Sequence, residues 1–236
     1  MPPKPSVIDC IVKTGGKVLP DGLVADLSID PETDMASAEM LSGMISPRDQ
    51  DWRSMASPGM SFLVVGPNFS GMPDHGDAEY DRIIVADSAI DAYYEKEGCP
   101  DIIVTDLDGN PDLMARCAKE GSAIVVHAHG DNTAAISRIV PSLHGMILGT
   151  CQVSPTPRGL RNIGGFTDGD RSAYLADYLG AETITLTGFD FEKPAEKPGM
   201  DVSRKRMKLV WARRYLEALA EIRGKNIAFG DLIEIA

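Results

Sequence analysis

The stretch PDIIVTDLDGNPDLMARCAKEGSAIVVHAHGDN, residues 100–132, decides the fold. An apolar run at Asp101–Thr105 ends in Asp106-Leu107-Asp108-Gly109, a helical stretch follows near Pro111–Glu120, and a second run at Ala123–Val126 ends in His127-Ala128-His129-Gly130-Asp131-Asn132. Short Ile/Val-rich runs bounded by Gly, Pro or Asp read as buried strands, and a helix of that length between two of them is a parallel crossover. The pattern repeats outward. Further runs lie at Phe62–Val65, Arg82–Ala86, Met146–Gly149 and Thr183–Thr187, with helical stretches near Ser88–Glu97, Thr133–Val140 and Arg171–Leu179. A longer helix is expected from about Val202 to Arg223, stopped by Gly224, and a last strand around Asn226–Phe229. The expected architecture is α/β: a doubly wound, mostly parallel sheet with helices on both faces.

Residues 1–58 are less regular. Val7–Val12 reads as a strand, Lys13-Thr14-Gly15-Gly16 and Pro20-Asp21-Gly22 as turns suited to a hairpin, and Asp34–Ile45 as a short helix. Ser57-Pro58-Gly59 marks a boundary, so 1–58 is expected to be a small N-terminal extension and 59–236 the catalytic domain. The extension carries no recognisable chemistry.

At 236 residues with 43% hydrophobic and 25% charged side chains, the chain is long enough for a real core. Its net charge of −12 argues against a broad nucleic-acid or anionic-membrane surface, which needs a dense Lys/Arg face. Met1-Pro2-Pro3-Lys4-Pro5 lacks the apolar core of a signal peptide, and no run spans a bilayer, so a cytoplasmic protein is expected. Cys10, Cys99, Cys117 and Cys151 form no Cys-x-x-Cys pair and read as reduced thiols.

In open α/β sheets, successive strand-to-helix loops converge on one rim, where ligands bind. Asp87, Asp106 with Asp108, Asp131 and Asp190 each follow a strand, and Thr167-Asp168-Gly169-Asp170-Arg171 opens a later helix. Asp is also a common helix cap, and Asp87 and Asp131 are open to that reading. Two carboxylates one residue apart at 106 and 108 repel unless a cation or solvated loop accommodates them, which points to bound Mg²⁺ and a phosphorylated ligand. Gly66-Pro67-Asn68-Phe69-Ser70-Gly71 has the spacing of a phosphate loop. It continues Met72-Pro73 where a Walker loop needs Lys and Ser/Thr, so a tight turn or a nucleotide-facing backbone remain as readings. His127-x-His129 suits a metal-dependent hydrolase, but only His75 and His144 remain as further ligands.

Taken in order, Ala86-Asp87-Ser88-Ala89, Pro100–Gly109, His127–Asn132, Gly149-Thr150-Cys151-Gln152, Asn162–Arg171 and Gly188-Phe189-Asp190-Phe191 resemble the motif set of archaeal 6-hydroxymethyl-7,8-dihydropterin pyrophosphokinases of the MptE type. The same skeleton is distantly similar to thiamin pyrophosphokinase. Ser88 stands where Gly is usual, and Phe189 where Met is often found. The resemblance covers about residues 60 to 210.

It implies Mg²⁺-dependent transfer of diphosphate from ATP to the hydroxymethyl group of a reduced pterin, releasing AMP, on a route to folate-like or methanopterin cofactors; a thiamin-type reaction on another heterocycle is the alternative. Asp106, Asp108 and Asp87 are then expected to hold the metal, with Arg171, aided by Lys205 or Lys208, offsetting charge on the leaving AMP. Gly66, Asn68, Ser70, Ser88, His127, His129, Asp131, Asn132, Gln152, Thr167, Asp168 and Asp170 are the expected nucleotide and substrate contacts. Asn68, Phe69, Gln152 and Asn162 have the chemistry to face a pterin ring. Self-association is left open.

Overall fold

The computed structural model describes residues 6–45, 51–55, 57–73, 79–193 and 201–235. The expectations for Met1–Pro5 and for His75 as a metal ligand lie outside the described residues. The order of elements is α1 (Val7–Thr14), α2 (Asp21–Leu27), α3 (Pro31–Ile45), β1 (Ser61–Val65), β2 (Arg82–Ala86), α4 (Ile90–Glu97), β3 (Ile102–Thr105), α5 (Pro111–Glu120), β4 (Ala123–Ala128), α6 (Thr133–Ile139), β5 (Ile147–Cys151), β6 (Leu160–Arg161), α7 (Asp168–Tyr178), β7 (Thr183–Thr187), α8 (Val202–Ile222), β8 (Ile227–Ala228) and β9 (Leu232–Ile235).

Among the described residues nine strands form one sheet in the order β6-β5-β4-β3-β2-β1-β7-β9-β8. From β6 to β7 every pairing is parallel; β9 runs antiparallel to both β7 and β8. The chain builds outward from β1 to β6, then crosses back through α7 to set β7 on the other side of β1. The reversal between β1 and β7 is the switch point at which open sheets bind ligands.

Alternation along the strands assigns the two faces. Phe62, Val64, Ile84, Val104 and Val125 pack with α1, α2, α7 and α8, whereas Leu63, Val65, Val85, Ile103 and Val126 pack with α3, α4, α5 and α6. Helices thus cover both faces. Two helices also follow their caps: Asn110 caps α5 through Leu113 N–H with Pro111 at its first position, and Asp201 caps α8 through Arg204 N–H.

The N-terminal segment departs from expectation. Val7–Val12 lies in helix α1, not a strand, and Asp21-Gly22 opens α2 rather than a hairpin turn. Ser6 accepts from Asp9 N–H while the Asp9 carboxylate accepts from Ser6 N–H, and Gly15 closes the helix at φ 62°. The helices are not peripheral. Ile11, Leu23, Leu27 and Leu41 are at most 2% exposed within the cores on either face of the sheet. Among the described residues no helix is long and apolar enough to cross a membrane.

Candidate active site

A cavity of about 250 Å³ opens at the carboxyl ends of β1 to β5 and β7, roofed by the N-terminal half of α8 and flanked by the start of α3. Its floor is built by the β2 and β3 loops. Asp87 follows β2 in a 3-10 turn and is 1% exposed; its Oδ2 accepts from the Thr105 hydroxyl at 2.5 Å and from Gly109 N–H at 3.1 Å. Gly109 is required there, because a Cβ would stand 1.9 Å from Asp87 Oδ1. Leu107 takes a left-handed conformation, donating its N–H to Thr105 Oγ1 at 2.7 Å and burying its side chain in the core on the α3 to α6 face of the sheet.

Asp87, Asp106 and Asp108 each offer a carboxylate oxygen within 4.8 Å of the others. Among the described residues, Asp87 Oδ1 and Asp106 Oδ1 are buried and accept no hydrogen bond. Three carboxylates at that separation with two unfilled buried oxygens fit a hard dication taking oxygen ligands.

The carboxyl groups respond to this crowding. Burial, then repulsion from Asp108 and Asp106, pushes Asp87 up to about 6. Asp168, at the first position of α7, is raised well above the carboxylate range by burial and by the charges of Asp106 and Asp87. Burial also pushes Asp106 upward, yet the hydrogen bond and charge of His129, with Lys208, outweigh it and hold the group low.

Around the floor, His129 Nε2 lies 3.4 Å from Asp106 Oδ2, and Arg204 reaches to 3.9 Å from the exposed Asp131. Asn68, Ser88, His127, His129, Asp131, Gln152, Thr167 and Asp168 line the cavity with Arg204, Lys205 and Lys208 of α8. His127 is buried against Thr150 Oγ1 at 3.0 Å, and that burial drives its ring well below the usual histidine range.

Several expected contacts serve the scaffold instead. Arg171 is 2% exposed and donates to the carbonyls of Gly164, Gly165 and Phe166, so it does not line the cavity: α7 directs this side chain inward against the preceding turn. Asp170 accepts from Phe166 and Thr167 N–H and from the Thr167 hydroxyl, capping the same helix. Asn132 clamps the rim by donating to the Asp106 and His127 carbonyls.

The 66–71 loop offers no phosphate cradle at its start, because Gly66, Asn68 and Phe69 N–H donate to the Thr187, Gly188 and Gly66 carbonyls. Gly66 instead permits close contact with Gly188, whose oxygen would lie 2.7 Å from a Cβ. Ser70 lines a neighbouring cleft, Phe69 is in the core, and Asn162 donates to the Lys17 carbonyl. His144 stands exposed ahead of β5, and the metal-competent group among the described residues contains no histidine.

A residue absent from the sequence expectations also reaches the cavity: Asp34 of α3, joined to Gln152 Nε2 at 2.6 Å. Nothing in its local sequence marks it, since only the docking of α3 on the β4 and β5 loops brings it in.

A family model described as 6-hydroxymethylpterin diphosphokinase MptE-like matches residues 77–196, the span that holds Asp87, Asp106, Asp108, Asp131 and Asp168. A 6-hydroxymethyl-7,8-dihydropterin pyrophosphokinase of Pyrococcus furiosus is 36% identical over 228 residues, covering 91% of this chain and 94% of its own length. The chain belongs to the MptE-like family. Proteins of the same name from Methanothermobacter thermautotrophicus and Methanocaldococcus jannaschii are 44% and 47% identical, over 58% and 46% of this chain and 62% and 46% of theirs. As a member of the MptE-like family this chain is a diphosphotransferase, and the acidic rim described above is its candidate active site.

Proposed function

We propose that this MptE-like enzyme transfers the terminal diphosphate of ATP to the hydroxymethyl oxygen of 6-hydroxymethyl-7,8-dihydropterin, releasing AMP, with Mg²⁺ as its dication. The observation that carries the reading is the trio Asp87, Asp106 and Asp108, whose ligand atoms lie within 4.8 Å of one another beneath a basic face of α8. The printed names of the relatives supply the pterin.

In the reaction the substrate oxygen bonds to the β-phosphorus, the bond between that phosphorus and the AMP oxygen breaks, and the hydroxyl proton passes to solvent water. Asp106, Asp108 and Asp87 would hold Mg²⁺, which would supply charge neutralisation for the phosphate groups. Through a loose transition state the remaining demand on the protein is positioning and electrostatics. His129 holds Asp106 in place from the side. Lys208 and Arg204, projecting from α8 into the cavity, attract the polyphosphate and offset charge on the departing AMP. Ser88 provides a hydroxyl and Asn68 an amide for the nucleotide.

The test is incubation with ATP, Mg²⁺ and the hydroxymethyl dihydropterin, read by chromatography. AMP and the pterin diphosphate are expected in equal amounts; ADP as product, or no nucleotide consumed, overturns the reading. Asp106→Asn is expected to lower kcat on the order of 10³-fold while the circular dichroism spectrum is kept.

A further inference from the structure

Three features bring α3 to the cavity wall. Ser37 Oγ and Thr133 Oγ1 are 2.5 Å apart, Gly130 lacks the Cβ that would stand 2.3 Å from Thr33 Oγ1, and Gly130 N–H donates to Asp34 Oδ1 at 2.7 Å. Asp34 is 5% exposed and lines the cavity; its Oδ2 accepts from Gln152 Nε2 at 2.6 Å. Among the described residues no lysine, arginine or histidine forms an ion pair with it.

A carboxylate has roughly four acceptor positions, and two neutral donors fill two of them. A desolvated charge left half-satisfied is unfavourable. A planar ligand with two adjacent N–H donors meets both oxygens at once through charge-assisted bonds.

We infer that Asp34, held by Gln152 and Gly130, determines specificity for the acceptor ring, its carboxylate receiving the ring N3–H and a 2-amino N–H of a 2-amino-4-oxopyrimidine edge. This rests on the reading that the acceptor is a reduced pterin. Adenine does not suit the position: its amino donor stands beside a ring nitrogen whose lone pair would face the carboxylate. Asp34 therefore sorts the two heterocycles to different parts of the cavity. The placement also suits the chemistry. Asp34 meets the N–H of Gly130, and the preceding residue, His129, carries the ring that contacts Asp106. Gly130 and His129 thus link the recognition carboxylate to the metal-competent trio.

The test compares the full-length wild type with Asp34→Asn on the 2-amino substrate and on its counterpart with a 2-oxo group, measuring kcat/KM for each acceptor and KM for ATP. The wild type is expected to prefer the 2-amino ring on the order of 10²-fold, because the 2-oxo ring turns an acceptor toward the carboxylate. Asp34→Asn is expected to shrink that preference at least about tenfold with the KM for ATP unchanged. Asp34→Glu, which keeps the charge, should retain the preference at a raised KM for the acceptor.

An unaltered preference in Asp34→Asn, or equal losses on both acceptors together with a raised KM for ATP, overturns the inference. Should the Asn variant not fold, calorimetric binding of the two acceptors to wild type decides, and equal affinities overturn it. Wild type that neither binds nor converts the 2-amino pterin sinks the proposed function itself, a result distinct from these.

Discussion

Leu107 stands at φ 69°, a conformation that costs an L side chain roughly 1–2 kcal/mol, and it is the price of setting two aspartates together around one buried leucine. Beside it, Asp87 has a folded-state pKa of about 6 against an ordinary 3.8, so between about pH 4 and pH 6 the folded protein holds a proton that the unfolded chain releases. That contribution to stability is present at low pH and is lost as pH rises through about 6, with an upper size of about 3 kcal/mol. In denaturant titrations of metal-free protein, Asp87→Asn is expected to remove this part of the fall in stability between pH 4 and pH 7, and Mg²⁺ to recover it in the wild type at pH 7. An identical pH slope in the two proteins counts against the assignment. The 106/108 pair is readable from sequence because adjacent like charges need a physical reason. Asp34 is not, since its partners lie 96 and 118 positions away.

At the scale of elements, α7 and α8 exchange the roles that composition suggests. The family resemblance marks Arg171 as a contact to the leaving AMP, but the sequence does not say which way the first turn of α7 faces. Its guanidinium is spent on three carbonyls, so Arg171→Ala is expected to cost about 3 kcal/mol or more of stability, seen as a lower unfolding midpoint. Lys208→Ala is expected to leave that midpoint nearly unchanged while raising KM for ATP roughly tenfold, an effect that shrinks with added salt. If the two variants swapped these outcomes, the division would be wrong. The crossover units were legible from Ile/Val runs and their flanking breakers. Helix α1 was not, because Val7, Ile8, Ile11 and Val12 suit either period; the Ser6–Asp9 capping pair was the available signal, and it outweighs the β-branched content.

For the molecule as a whole, α1, α2 and α3, which precede residue 58, pack into the same cores as the sheet that follows. Ile11, Leu23, Leu27, Leu41 and Ile45 are buried at 5% exposure or less, and at about 2 kcal/mol each their loss is of the order of a domain's entire stability. A chain beginning at residue 59 is therefore expected to lack a cooperative thermal transition by calorimetry; a sharp transition would make the catalytic unit independent. The last strand pair was also only half legible: β9 slips between β7 and β8 in four residues close to the end of the chain. Its insertion leaves the sheet bordered by β6 and β8, each two residues long. So little open backbone ladder gives a neighbouring molecule almost no template to extend, which guards against amyloid-like stacking and steers any self-association toward contacts between helices.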